Sequence, residues 1–285
     1  MEILNSWKFW VMLYLVSAVV FAQAFKKANR NMKSAGALTI LLEVFTAFFA
    51  LFFIPFFDFT WPTDTNVYLI LLAVVSIYAI TDRLNIEARY GLDPSVFSML
   101  KQLSTVFLII LGFIFLKDQI VLKKIIGSVI IIFANVLLAF NKDKIKFNKY
   151  FIMSFVSNFL FAVAMLINVN ISNYFNLAFY TILTVFTPSM LIFIFGKHSL
   201  KELKCEFNYY DKKYFLLASF CWCLMLIASV RSYQLGNVTL IAPLLTLTSI
   251  LNTMYEYFIC NNKSKFLQKV IASILIILGV VIIKM

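Results

Sequence analysis

Four ionisable side chains sit where a bilayer would make them costly. Glu43, Asp82, Arg83 and Lys101 each interrupt a long apolar run. A charge at the centre of a membrane helix costs about 2.5–3.5 kcal/mol on insertion scales, and such residues mark substrate paths, proton relays or interhelical pairs. Glu43 lies about eight residues into its run, roughly 12 Å from the basic end at about 1.5 Å per residue. Lys101 lies about as deep in another run, and Asp82 and Arg83 about as far from the end of a third, all measured from the same side. The shared depth predicts a charge cluster facing a cavity. Two readings of it stand. Either Glu43 takes part directly in substrate or proton binding, or the charges pair with one another and only hold helices in register. A buried pair adds little to stability yet is costly to break. Snorkelling of a long stem toward the interface suits Lys101 best.

Weaker candidates surround these. Gln102 follows Lys101 and either reaches the same cavity or bonds a neighbouring helix. In the second half, Asn158, Trp222, Tyr233 and Asn252 are the polar or aromatic groups best placed to see a cavity. Trp222 lies mid-helix, away from the interfaces where tryptophan gathers, and serves equally well as a packing residue. Pro188 and Pro243 fall inside apolar runs, where each either opens a carbonyl for a ligand or kinks a helix. Thr184, Thr187 and Ser189 stand ready to patch the backbone near Pro188. Arg231 and Glu256 sit near opposite ends of neighbouring runs, each by its nearer interface. The four cysteines show no pairing pattern, and Cys221 and Cys223 point to different sides of one helix. A single histidine, His198, excludes a His-rich metal centre. No Walker sequence is present, and no cofactor is expected.

The elements that position these residues follow from composition. The chain has 285 residues, of which 62% are hydrophobic, 17% aromatic and 13% charged. The hydrocarbon core of a bilayer is about 30 Å thick and takes roughly 20 apolar residues to cross as a helix. About ten such runs recur, near 7–25, 35–57, 67–90, 94–116, 121–140, 150–171, 175–196, 214–234, 238–260 and 266–283. Helices are expected and not strands, because each backbone amide in lipid must be bonded within its own segment. The first run is too long and aromatic for a signal peptide and lacks a small-residue cleavage site. Lys197–Lys213 is expected as the longest polar loop. The 32 phenylalanines are read as lipid-facing and packing residues.

The net charge of +12 is no nucleic-acid signal, because the basic residues sit in short loops between apolar runs. Loops after the odd-numbered runs hold most of them. The positive-inside rule then puts those loops in the cytoplasm and both termini outside.

The chain also repeats itself. Leu15–Ala24 recurs as Phe155–Ala164, Glu43–Thr46 as Thr184–Thr187, and Lys123–Ser128 as Gln268–Ser273. The order is kept at a nearly constant offset. An odd number of runs per half inverts the second half relative to the first, an arrangement of transporters with a midplane substrate site. The expected fold is therefore an all-α integral membrane protein, with ten transmembrane helices as two inverted five-helix repeats, 1–145 and 146–285.

Certain turns resemble those of the drug/metabolite transporter superfamily in its ten-helix EamA-like form. Ala88-Arg89-Tyr90-Gly91 with Ser95-Val96 resembles the family's turn between helices 3 and 4. Ser232–Leu244 resembles the same turn in the second half, and Leu116-Lys117-Asp118 before Gly127 resembles the join between helices 4 and 5. The chain departs from the pattern in having Asp118 in place of glutamate, Lys263 at the equivalent second-half position, and no proline near Thr105. The resemblance implies a carrier of small organic metabolites, and both termini inside, opposite to the charge count. The expected partners are a small-molecule substrate and the lipid bilayer, most naturally the cell's inner membrane, and not nucleic acid; oligomeric state is left open. An integral-membrane enzyme acting on lipid and a non-transporting scaffold are the alternatives. Such an enzyme would need clustered His, Asp or Cys at a membrane face.

Overall fold

A computed structural model describes residues 5–28, 33–92, 100–101, 103–115, 122–139 and 148–258, and 271–282 apart from 273, 276 and 280. Most of the helices among them follow from the apolar runs. In order they are α1 (Trp7–Ala28), α2 (Ala35–Leu51), a 3-10 turn (Ile54–Phe56), α3 (Thr65–Gly91), α4 (Leu103–Phe115), α5 (Leu122–Ala139), α6 (Lys149–Ser172), α7 (Leu177–Phe195), α8 (Leu200–Tyr209), α9 (Lys212–Leu235), α10 (Val238–Leu245) and α11 (Thr248–Phe258). No strand occurs among the described residues.

Five of these helices are long and apolar enough to cross a membrane: α1, α3 over Thr65–Asn85, α6, α7 and α9. Their outward faces carry Met12, Val16, Leu69, Leu72, Ile152 and Ile194, all well exposed. Apolar surface on that scale is untenable in water and ordinary in lipid.

The chain forms two compact units. One contains Met1–Ile86 and Ile167–Gln234, the other Glu87–Leu166 and Leu235–Met285. Each unit thus draws on both of the expected sequence halves. In the first, α2 packs along α7 and meets α8. One core there gathers Val67, Val74, Ile171, Phe175 and Tyr180, and another Ala28, Leu38, Tyr210 and Phe215. Asn176 ties loop to helix. Its side chain donates to the carbonyls of Ile54 at 3.0 Å and Phe57 at 2.7 Å, and accepts from Phe179 N at 3.0 Å as the N-cap of α7. In the second unit α10 packs along α4, and Ile131, Ala134 and Ala272 form a core. Gly279 is required there: a methyl group on it would lie 2.7 Å from the Gly127 carbonyl oxygen.

Two expectations are corrected. The segment 197–213 is not simply a loop, since it contains α8. Its start is a capping motif, with Ser199 Oγ accepting from Glu202 N at 3.2 Å. The run 238–260 is not one helix. It breaks after Leu245, with Pro243 inside α10. Thr246 Oγ1 donates to the Pro243 carbonyl at 2.6 Å and Thr248 Oγ1 to that of Leu245. Such hydroxyls compete with the helical backbone bonds and favour a break. The run near 266–283 falls largely outside the described residues, though those at 271–282 that are described are helical.

Candidate functional site

The helix α2 begins at Ser34, whose Oγ accepts from Ala37 N at 3.4 Å. Beyond this cap Ile40, Glu43, Ala47 and Ala50 recur at three- and four-residue spacing and are all buried. A helix repeats about every 3.6 residues, so Glu43 lies on the apolar packed stripe. Only 6% of it is exposed.

Its neighbour is Asp82 on α3, near enough for the two carboxyl groups to interact. Ionised carboxylates only accept hydrogen bonds. Two neighbouring carboxyl groups share a hydrogen bond only when one of them carries a proton. The Glu43 oxygen Oε2 has no hydrogen-bond partner among the described residues.

A thread of phenols continues from this pair. Tyr78, one turn before Asp82, lies within its electrostatic reach. The Tyr78 hydroxyl accepts from Asn168 Nδ2 at 2.9 Å. Tyr180 and Tyr233 interact with Tyr78, and Tyr14 with Tyr233. Tyr180 is 1% exposed, and its hydroxyl has no partner among the described residues. Helices α1, α2, α3, α6, α7 and α9 thus each supply a polar group to the interior of one unit. The arrangement gathers carboxyl, amide and phenol groups inside one unit, partners that a proton or a polar solute would use.

Of the residues singled out from sequence, the structure brings Glu43 and Asp82 together, with Tyr233 on the same thread. Arg83 is exposed. Lys101 is also exposed and belongs to the other unit, as do Asn158 and Asn252. Asn158 is buried and bonds locally, its Nδ2 donating to the Ser154 carbonyl at 2.7 Å. The Trp222 ring packs against Phe21, with centroids 5.0 Å apart. Gln102 lies outside the described residues. Near Pro188, Thr184 Oγ1 donates to the Tyr180 and Thr181 carbonyls, and Ser189 Oγ to that of Phe186. Arg231 lies four residues from the end of α9. It is partly buried, donates to Gln234 Oε1 at 3.1 Å and feels Asp58. Cys221 and Cys223 are both buried thiols. Tyr14, Tyr78, Asn168 and Tyr180 were not singled out. The signal was present for Tyr78, which stands four residues before Asp82 and so shares its helix face.

A second polar cluster, at the start of α2, also escaped the sequence reading. Glu206 of α8 accepts from Lys33 N and Ser34 N, both at 3.0 Å, and from the Tyr210 hydroxyl. Glu202, one turn earlier, accepts from Ser34 Oγ at 2.6 Å. Its two oxygens each lie 3.1 Å from His198 Nδ1. Two carboxylates at a helix N-terminus satisfy open N–H groups and complement the helix dipole. The hydrogen bond from Ser34, and then that from His198, hold the Glu202 carboxyl below its ordinary value, against an opposing effect of burial. The cluster fixes the end of the helix that carries Glu43.

Together the apolar helices and their lipid-compatible outer faces define a helical membrane protein. No family model and no curated protein matches the chain. Among 29 matching chains of solved structures is a crystal structure of a protein 11% identical, aligned over 97% of this chain and 96% of its own with a TM-score of 0.73. At that identity the likeness shows a shared fold alone.

Proposed function

We propose that the chain is a secondary transporter of a small organic metabolite, an EamA-like member of the drug/metabolite transporter superfamily. It crosses the cell membrane ten times as two inverted five-helix repeats and works by alternating access. The observation that carries this reading is the Glu43–Asp82 pair, with Glu43 buried and Asp82 half-buried. It is a carboxyl pair in an apolar bundle, presenting one oxygen without a hydrogen-bond partner among the described residues. Ionisable groups inside membrane helices mark pathways and proton relays. Proton release and uptake at Glu43 is the natural coupling step. The break between α10 and α11 supports the same reading, since transporters build solute sites from interrupted membrane helices.

The test is a thermal-shift screen of the purified protein in liposomes against a panel of metabolites. A ligand that binds the folded state raises the unfolding temperature by mass action. A hit that is then taken up into the liposomes supports the carrier. A hit that is chemically altered instead favours an enzyme, and the absence of any hit favours a scaffold. Cysteine-accessibility mapping checks the architecture, with an odd number of crossings expected in each half.

A further inference from the structure

The helix α8 joins α7 to α9, both long and apolar enough to cross a membrane. Where those two cross, α8 lies at the membrane surface. Its residues divide by face, at about 100° per residue. Glu202, Leu203, Glu206 and Phe207 fall on one side. That side is turned to α2, where the acids bond Lys33 and Ser34 and Phe207 stacks on Phe45 with centroids 5.4 Å apart. Lys201, Lys204, Cys205 and Asn208 fall on the other side, and all are exposed.

The remaining acid of the segment, Asp211, is also committed. Its Oδ1 accepts from Lys213 N at 3.1 Å and Tyr214 N at 3.4 Å, at the start of α9. All three acids between 197 and 213 thus face helix N-termini. Five lysines of the same stretch, Lys197, Lys201, Lys204, Lys212 and Lys213, are exposed. Leu200, 75% exposed, and Phe195, 76% exposed, border them with apolar surface. A cationic face edged by apolar side chains, held at the height where two membrane helices end, matches a layer of anionic headgroups over acyl chains.

We propose that the outer face of α8 binds the phosphates of anionic phospholipids, with Lys201 and Lys204 at its centre. This rests on α7 and α9 crossing the membrane and not on any transport activity.

The experiment places the full chain in nanodiscs of phosphatidylcholine, with or without phosphatidylglycerol, and follows thermal unfolding and lipid retention. Phosphatidylglycerol is expected to raise the unfolding temperature of the wild type. The rise is expected to be lost in Lys201→Gln/Lys204→Gln and kept in Lys8→Gln, a change at the opposite end of α1. Each lysine removed should weaken retention of phosphatidylglycerol about fivefold. The double variant's unfolding in phosphatidylcholine alone reports whether it still folds. If it does not, Lys197→Gln/Lys213→Gln, in the turn before α8 and at the start of α9, provides the same comparison. An equal rise in the wild type and in a folded variant, or no rise in the wild type, overturns the proposal. So does an equal loss in Lys8→Gln, which would mean that net charge alone attracts the lipid. A rise reproduced by inorganic phosphate in phosphatidylcholine discs overturns the lipid assignment.

Discussion

Gly36, in the first turn of α2, lies directly against the imidazole of His198. A methyl group on Gly36 would fall 2.3 Å from Nε2 and 2.6 Å from Cε1. The ring has little room to yield. Glu202 holds Nδ1 at 3.1 Å, and Gly196 closes in on another side, where a methyl would lie 2.7 Å from Cδ2. Gly36→Ala is therefore expected to destabilise the protein by about 1–3 kcal/mol, as overpacking does. Adding His198→Ala should recover part of the loss, a coupling that a double-mutant cycle of thermal unfolding measures. Strict additivity of the two changes would show that the contact is soft.

Glu206 is the deeper of the two caps on α2, at 2% exposure. Glu206→Ala would remove the acceptor of two backbone N–H groups and of the Tyr210 hydroxyl. Loss of charged hydrogen bonds of this kind costs about 1.5–3 kcal/mol. Hydrogen exchange at residues 33–37 should accelerate in the variant, while exchange in α6 stays near wild type. Unchanged protection at 33–37 would remove the capping role.

The Glu202 carboxyl predicts a pH dependence of stated sign. Its folded-state value is lowered, chiefly by the Ser34 hydroxyl. Its contribution is therefore complete above the unfolded value, about 4.3 for an ordinary glutamate. It fades as pH falls through the lower folded value. Wild type should exceed Glu202→Gln in stability at pH 7, and the gap should close below about pH 4. A gap that widens on acidification would contradict the assignment.

Asn176 joins the 3-10 turn after α2 to the start of α7 by three side-chain hydrogen bonds. Asn176→Ala is expected to cost about 1–3 kcal/mol, the penalty for leaving buried polar groups unpaired. Asn176→Asp keeps the cap on Phe179 N and loses both donations, so it should fall between alanine and wild type. Unfolding in detergent orders the three proteins.

Much of the helical layout was legible in sequence, because lipid imposes one strong rule. Apolar runs must form helices to satisfy their own backbone, and the bounds of α1, α6 and α9 lie close to those runs. The elements that were not legible depend on tertiary contacts. Nothing local to Lys197–Lys213 announces that Glu202 and Glu206 cap a helix more than 160 residues away, although Ser199-His198 and the Ser199-to-Glu202 spacing mark a helix start. The break after Leu245 is written in threonines, whose hydroxyls compete with backbone partners, and not in the proline alone. For the site, depth counted from run ends placed Glu43 and Asp82 at the same level. Depth carries no information about rotation around a helix axis, and so it grouped the exposed Arg83 and Lys101 with the buried Glu43 and half-buried Asp82. Tyr14 and Tyr180 were hidden by composition, since phenols in an aromatic-rich chain resemble packing residues until their neighbours are known.

The central claim is that Glu43, beside Asp82, exchanges the proton that couples solute movement. Uptake of a metabolite identified by thermal shift, into proteoliposomes with and without an imposed pH gradient, tests it most directly. Wild type is expected to accumulate solute in proportion to the gradient, and Glu43→Gln to bind the solute without responding to the gradient. Gradient-driven accumulation left intact in Glu43→Gln would contradict the account.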